Sequence, residues 1–589
     1  MVRIDEPLVL GRISTVSALT VVFACAVAVY LVTSRWEYGR SSHLGFMGYL
    51  PMSDALGYYL CSVASSGIEA SPIEWCARRI FYPTALASYL GFTGWRPQFV
   101  LLVQAAVIGC AVSVFALVVA RYLGRLAAIV AAFGLFVVAY EFALGNFMTE
   151  SLGVPLGLFG LTLLLAHAGG QRRITLLYSG LALFSIGMFT RMGALLVLPL
   201  LGLWACVVLV RSAEKQRITC CLGALVAVAA GPLLQVLLVL ALGGDPANTG
   251  GNYATTLYGL TTGSRDWSQP YRDFAQVFQS SSESAAFAKV QAAALANIRD
   301  NPSVFLRSLL QNAQAYATGV FSFGSLTYVN NLLTTFWLIG LAWCAVHARQ
   351  AIAALLLVVS VGELISVPMV FIGNSDHRVL AVSLGARLLL VGVGLTWLTS
   401  MLLAALGAAT RSSNPNLRNT RADSEVDFST SLALIAGISL AVLALLPATP
   451  VRQLFALPSV GGVGCPQDQQ EVVARVGRES MALAVGSPLN PVNERMLGVR
   501  VGQVEADPAR PGSWWVEHLP ELRQSTMLIY AIQLMPGARG QLIPLVFDGR
   551  LPGNSATPLS FCYEPKPTSI QLADYTFRRV LSVRAVSSF

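Results

Sequence analysis

Apolar stretches about 20 residues long recur along most of this chain, and no other feature limits its fold as strongly. A helix of that length crosses the hydrocarbon of a bilayer with every backbone group satisfied internally. The first stretch, residues 13–32, is longer than a signal-peptide core and is followed by no small-residue cleavage pattern, so it reads as a retained span. Composition agrees: the 589 residues are 55% hydrophobic and 12% charged, about half the charge of an ordinary soluble domain. The net charge of +9 is scattered over short loops, which suits orientation signals and not a nucleic-acid surface.

The stretches give about eleven spans, near 13–33, 97–120, 126–144, 150–168, 174–190, 192–210, 218–242, 328–346, 351–371, 379–403 and 430–447. Basic residues then fall on one side. Arg3 and Arg12, Arg121 and Arg125, Arg172 and Arg173, and the group Arg211, Lys215 and Arg217 lie there, as do Arg349, Arg411, Arg418 and Arg421. The positive-inside rule makes that side cytoplasmic, with the amino terminus inside and the carboxyl terminus outside.

The expected fold is therefore an α-helical polytopic membrane protein with a small β-rich C-terminal extracytoplasmic domain. Residues 1–407 form the transmembrane unit, with outer loops at 34–96 and 243–327. Residues 408–429 are a polar cytoplasmic linker, 430–447 the last span, and 448–589 the outer domain. Within the long loop, "SSESAAFAKVQAAALANIRDNPSVFLRSLLQNAQAY" reads as two amphipathic helices broken at Asn301-Pro302, as expected of helices on a membrane surface. In the outer domain, "VGRESMALAVG", "STMLIYAIQLM" and "GQLIPLVFDGRL" are short, partly alternating runs that suggest strands. Of ten cysteines, Cys61 and Cys76 share the first outer loop, and Cys465 and Cys562 share the C-terminal region. Each pair is a candidate disulfide if it faces an oxidising compartment. Neither has metal-ligand spacing, and the five histidines are not clustered, so a zinc site is not expected, and a divalent metal is not favoured.

Several charges stand where the orientation rule does not want them. Asp54 lies in "PMSDALGYYL" and Arg78-Arg79 in "CARRIFYP"; Glu150 opens the fourth span in "NFMTESLGVPLG". Arg191 occupies the tight hairpin "MFTRMGALLVLP", and Asp376, His377 and Arg378 the turn "GNSDHRVLAV". Each has a plain explanation. Asp54 and Glu150 suit the positive ends of helices, the arginines can snorkel to headgroups, and Asp376 can pair with Arg378. Their shared sidedness favours an outward-opening cavity with acids and arginines, where ionised groups inside a bilayer usually face a partner or ligand. There a carboxylate can activate an acceptor hydroxyl, and arginines can hold a departing phosphate.

In this order and sidedness the segments "SDALGYY", "RRIFYP", "MTESLGVPL", "FTRMGALLVLP" and "DHRVLAV", with "TLYGLTTGSRDW" and "ANIRDNPSVFLRSLL" in the long loop, resemble the C-type (GT-C) glycosyltransferases. These are multispan enzymes that use polyprenyl-phosphate sugars at the outer membrane face. The resemblance covers roughly residues 1–400 and implies an enzyme with Asp54 as general base. It implies donor-phosphate contacts at Arg191, Arg378 and Arg79, and a donor site shaped also by Tyr82 and Pro83. Sugar or acceptor contacts would come from Glu150, Tyr58, Tyr59, Tyr82, Asp376, His377, Tyr258 and Trp267. Its partners would be a polyprenyl-phosphate-linked sugar, a glycan, lipid-linked or protein acceptor, and membrane lipid. Many such enzymes pair two acids in the first loop; here Asp54 is alone, with Glu69 and Glu74 well downstream, which leans away from metal dependence.

Two other readings compete. An O-antigen-type polymerase or ligase also has many spans and outer arginines. A transporter would show broken spans and ionisable groups near the bilayer centre, whereas here the spans read as unbroken and the ionisable groups as gathered at the outer ends.

Overall fold

The computed structural model describes residues 15–37, 45–46, 50–51, 54–65, 74–93, 97–171, 173–211, 217–321, 327–370 and 377–405. In the C-terminal region it describes 464–474, 481–484, 526–532, 542–548, 559–572 and 575–585. The linker 408–429, the span 430–447 and Asp376 lie outside the described residues.

The chain is mostly helical, with a small C-terminal sheet. Among the described residues seven helices are long and apolar enough to cross a membrane, or eight if one bent pair is a single span. In chain order the helices of the first part are α1 (Thr15–Glu37), α2 (Asp54–Ser65), α3 (Phe81–Phe92), α4 (Pro97–Tyr122), α5 (Arg125–Phe142), α6 (Glu150–Ala166), α7 (Ile174–Thr190) and α8 (Val197–Arg211). Next come α9 (Arg217–Val228) and α10 (Ala230–Ala241), then the long-loop helices α11 (Gly251–Thr261), α12 (Gln269–Asp273), α13 (Ala275–Ser280), α14 (Glu283–Asp300) and α15 (Pro302–Thr318). The last three are α16 (Thr327–Val346), α17 (Ala351–Val370) and α18 (Leu384–Ala405).

Two expectations need correction. The span 218–242 is not unbroken, because α9 and α10 meet at a 48° bend. The first outer loop is not a plain loop: α3 is buried from Phe81 to Gly91 and packs against α2, α4 and α7. Its aromatic, small and aliphatic residues carry no charge, so it sinks into the bundle although it is too short to cross it.

Helix α6 is the axis of the bundle, with every residue buried. Its glycines permit this, since close approach between helices in lipid relies on small side chains. A Cβ on Gly157 would stand 2.3 Å from the Val382 carbonyl oxygen, so only glycine lets the turn that leads into α18 lie against α6. Lipid-facing helices show the reverse: α1 leaves Val22 and Phe23 largely exposed. As read from the sequence, α14 and α15 break at Asn301-Pro302, where Pro302 takes the first helical position.

The C-terminal strands form one six-stranded sheet. In chain order they are β3 (Gln470–Ala474), β4 (Met481–Ala484), β5 (Thr526–Ile532), β6 (Leu542–Asp548), β7 (Leu559–Leu572) and β8 (Tyr575–Ala585), after a short hairpin of β1 (Gly45–Phe46) and β2 (Leu50–Pro51) in the first loop. The spatial order is β3-β7-β8-β6-β5-β4, antiparallel except where β6 meets β8. Cys465 and Cys562 are disulfide-bonded, tying the start of this region to β7.

Candidate active site

Asp54 is the first residue of α2, its carboxylate at the positive end of the helix. Two turns later, Cys61 forms a disulfide with Cys76 in the 3-10 turn Glu74–Arg79. That bond holds the two basic residues of the turn close to α2, and they face different ways. Arg78 pairs with Glu283 of α14 and lies 4.6 Å over the Phe287 ring, so it anchors the long loop. Arg79 donates to the Tyr58 hydroxyl at 2.7 Å, and the Tyr58 ring meets Tyr82 edge-on at 5.6 Å.

Glu150, at the start of α6, is fully buried and joins the next links. Its Oε2 accepts from Thr149 Oγ1 at 3.0 Å. Its Oε1 lies 3.4 Å from Arg191 Nε, at the end of α7, and 3.3 Å from Arg378 Nε, in the 3-10 turn before α18. Arg378 reaches on to Asp54, with Nη2 3.4 Å from Oδ2. Thus Arg191, Glu150, Arg378 and Asp54 form one chain of charge at the end of the bundle where α6 and α18 begin and α7 ends. The turns carrying the two arginines touch: a Cβ on Gly193 would fall 1.7 Å from the Val379 carbonyl oxygen.

The two carboxylates are not equivalent. Glu150 is 0% exposed and shared between two guanidinium groups, whereas the Asp54 side chain is 47% exposed and has one ionic partner. Buried charges persist only when paired and hydrogen-bonded. Arg191 is incompletely paired: it is 3% exposed, and its Nη1 has no hydrogen-bond partner among the described residues. Counting Arg79, Arg191 and Arg378 against Asp54 and Glu150 leaves one positive charge over in this described cluster. Burial acts to lower the Arg79 guanidinium, but Tyr58, Asp54 and Glu150 outweigh it and hold it above its usual value. Burial pushes the Tyr58 phenol up, and Arg79 draws it partly back. The cluster suits an anionic ligand beside an accessible carboxylate.

The remaining sequence-named residues divide. Tyr82 accepts from Gln104 Nε2 at 3.1 Å beside Tyr58, and Tyr59 is buried edge-on to Phe147, so both belong to the wall behind the cluster. His377 lies in the same 3-10 turn as Arg378. Tyr258 and Trp267 sit apart from the charge chain, in an aromatic layer of the long loop. Tyr258 donates to Asp273 Oδ2 at 3.0 Å and stacks edge-on with Phe274, and Trp267 meets Tyr271.

Sequence reading missed two features. Tyr253, in the first turn of α11, has a buried hydroxyl with no hydrogen-bond partner among the described residues. Nothing local distinguishes "GGNYATTLYG" from other loop helices. Glu363 and Arg387 lie inside α17 and α18, so ionisable groups are not confined to the outer ends; they pair at 2.6 Å. Glu363 also accepts from Tyr316 of α15 at 2.6 Å and from Ser383. A signal existed here, since a charge inside an apolar span is itself anomalous.

Among the described residues no group of three or more His, Cys, Asp or Glu could share a metal ion.

No family model matches the chain, and no curated protein matches it. Among solved structures it is similar to oligosaccharyltransferases of Archaeoglobus fulgidus. The complex with Zn and sulfate is 13% identical, covering 74% of this chain and 52% of that one, with a TM-score of 0.39. AglB in complex with an inhibitory peptide and a dolichol-phosphate is 13% identical over 75% and 56%, TM-score 0.37. The form tethered to an acceptor peptide containing the NVT sequon is 13% identical over 75% and 55%, TM-score 0.39. The chain spans about half the length of these structures.

Proposed function

We propose that this protein is a glycosyltransferase that moves a sugar from a polyprenyl-phosphate donor to a cell-envelope acceptor on the outer face of a bacterial inner membrane. The observation that carries this reading is the Asp54–Arg378–Glu150–Arg191 chain, which puts an accessible carboxylate next to guanidinium groups at one end of the spans. In the proposed reaction Asp54 takes the proton of an acceptor hydroxyl as its oxygen attacks the anomeric carbon. The bond from that carbon to the phosphate oxygen breaks, and the electron pair leaves with the polyprenyl phosphate. Arg191, Arg378 and Arg79 offset the charge that grows there. A single displacement inverts the anomeric centre. Glu150 orients the two guanidinium groups and is too buried to act as the base.

The disulfides Cys61–Cys76 and Cys465–Cys562 support an outer, oxidising location for both regions, with the amino terminus in the cytoplasm. In this reading residues 1–407 form the catalytic unit, and the domain at 448–589 binds acceptor or steadies the outer loops.

Replacing Asp54 by Asn in the full-length protein should lower transfer by about a hundredfold or more while prenyl-phosphate binding persists. Near-normal transfer by that variant would favour the polymerase or ligase reading. The 48° bend between α9 and α10 removes one objection to a transporter. Uptake of labelled substrate into vesicles without covalent product would favour that class. Mass spectrometry of envelope glycans from cells lacking the protein would identify the missing sugar.

A further inference from the structure

Tyr253 lies in a different part of the chain, in the helix that follows a turn packed beside the Arg79 turn. The 3-10 turn Pro246–Gly250 packs against the turn that carries Arg79, and α11 starts directly after it. Gly251 seats that first helical turn on Phe287, where a Cβ would come within 2.5 Å of the ring. Phe287 is the ring beneath Arg78. The first turn of α11 therefore follows a turn packed on the first loop and rests on the α14 ring that Arg78 covers. Burial raises the Tyr253 phenol, while Arg79 and Arg191 both draw it down, so both guanidinium groups act on this hydroxyl.

Two buried donors lack a hydrogen-bond partner among the described residues: Tyr253 Oη, in the helix that follows the turn packed beside Arg79, and Arg191 Nη1. A buried orphan costs free energy, and a hydroxyl and a guanidinium left in that state call for an acceptor. A water molecule could serve the hydroxyl, but an anionic oxygen would also answer the buried Arg191 guanidinium. A neutral phenol adds direction without adding charge, which distinguishes its contribution from that of the arginines.

We propose that Tyr253 is a donor-phosphate ligand, its hydroxyl and Arg191 Nη1 donating to the anionic oxygens of a prenyl-phosphate carrier. This deepens the glycosyltransferase reading and rests on it. The long outer loop thus supplies part of the donor site and does more than wall it. The test uses the full-length protein in nanodiscs with two probes, undecaprenyl monophosphate and undecaprenol, and measures equilibrium binding. Wild type should prefer the phosphate at least tenfold. Tyr253→Phe should weaken phosphate binding about tenfold and leave the alcohol within twofold, as expected for one hydrogen bond to a charged group. Because this change removes an unpartnered oxygen, the melting midpoint should not fall. Phosphate binding within twofold of wild type would overturn the role of Tyr253 and leave the glycosyltransferase reading intact. Equal loss of both probes would also overturn it, since Tyr253 would then support the pocket and not the phosphate. Failure of wild type to prefer the phosphate would overturn the underlying reading.

Discussion

Asp54 and Glu150 are chemically the same kind of group, and their surroundings give them different work. Glu150 has lost all contact with solvent and serves two guanidinium groups, so protonating or replacing it would release both. Asp54 keeps nearly half of its side chain in the open, where a hydroxyl can approach. The phenols around them carry a pH consequence. Tyr58 and Tyr253 are both raised in the folded protein, first by burial. In the unfolded chain a phenol ionises near pH ~10. A raised acid holds its proton longer in the folded state, so the stability it contributes is present below that pH and is lost as pH rises beyond it. Melting midpoints followed from about pH 8 to pH 11 should fall steeply past pH ~10. Tyr253→Phe should fall less steeply than wild type.

At the level of elements, the site depends on how closely two turns approach. Arg191 ends α7 and Arg378 precedes α18, and they share Glu150 only because Gly193 has no side chain to meet the Val379 carbonyl. Gly193→Ala puts a methyl group within 1.7 Å of that oxygen, so the hairpin must move away from the last span. Overpacking of this kind typically costs about 1–3 kcal/mol. The melting midpoint in detergent should drop accordingly. Transfer should drop further than stability, because the displaced turn carries Arg191. A Gly193→Ala protein with wild-type melting and wild-type transfer would show that the two turns are not coupled. The 3-10 turn behind Arg79 has its own tether in the Cys61–Cys76 bond, which is why two arginines adjacent in sequence can point to different partners.

On the scale of the whole molecule, a second ionic network joins the long loop to the spans. Glu363 of α17 binds Arg387 of α18 at 2.6 Å and Tyr316 of α15 at 2.6 Å, and Arg387 donates to the Val320 carbonyl at 3.4 Å. Asn312 of α15 adds a hydrogen bond to the Pro368 carbonyl at 3.0 Å. Breaking a buried pair on one side leaves an uncompensated charge, at a cost of about 3–5 kcal/mol. Glu363→Gln should therefore lower the melting midpoint strongly, and Glu363→Gln with Arg387→Met should recover much of the loss. Thermal unfolding of the four proteins of that cycle decides it; no recovery in the double variant would mean that the pair is not energetically coupled.

The sequence by itself determined that the chain is a multispan helical protein ending in a small sheet, because span length and strand alternation are local properties of composition and period. It also singled out Asp54, Arg79, Glu150, Arg191 and Arg378, because charges in outer turns of an apolar chain conflict with their surroundings and so stand out. Only the tertiary structure decided which of them meet. Asp54 and Arg378 are 324 residues apart, and what joins them is close helix packing through Gly157 and Gly193. The same holds for the buried α3, for the 48° bend and for Tyr253, whose hydroxyl is unusual only for what surrounds it. Burial and partnership are sums over distant neighbours, and no local pattern contains them.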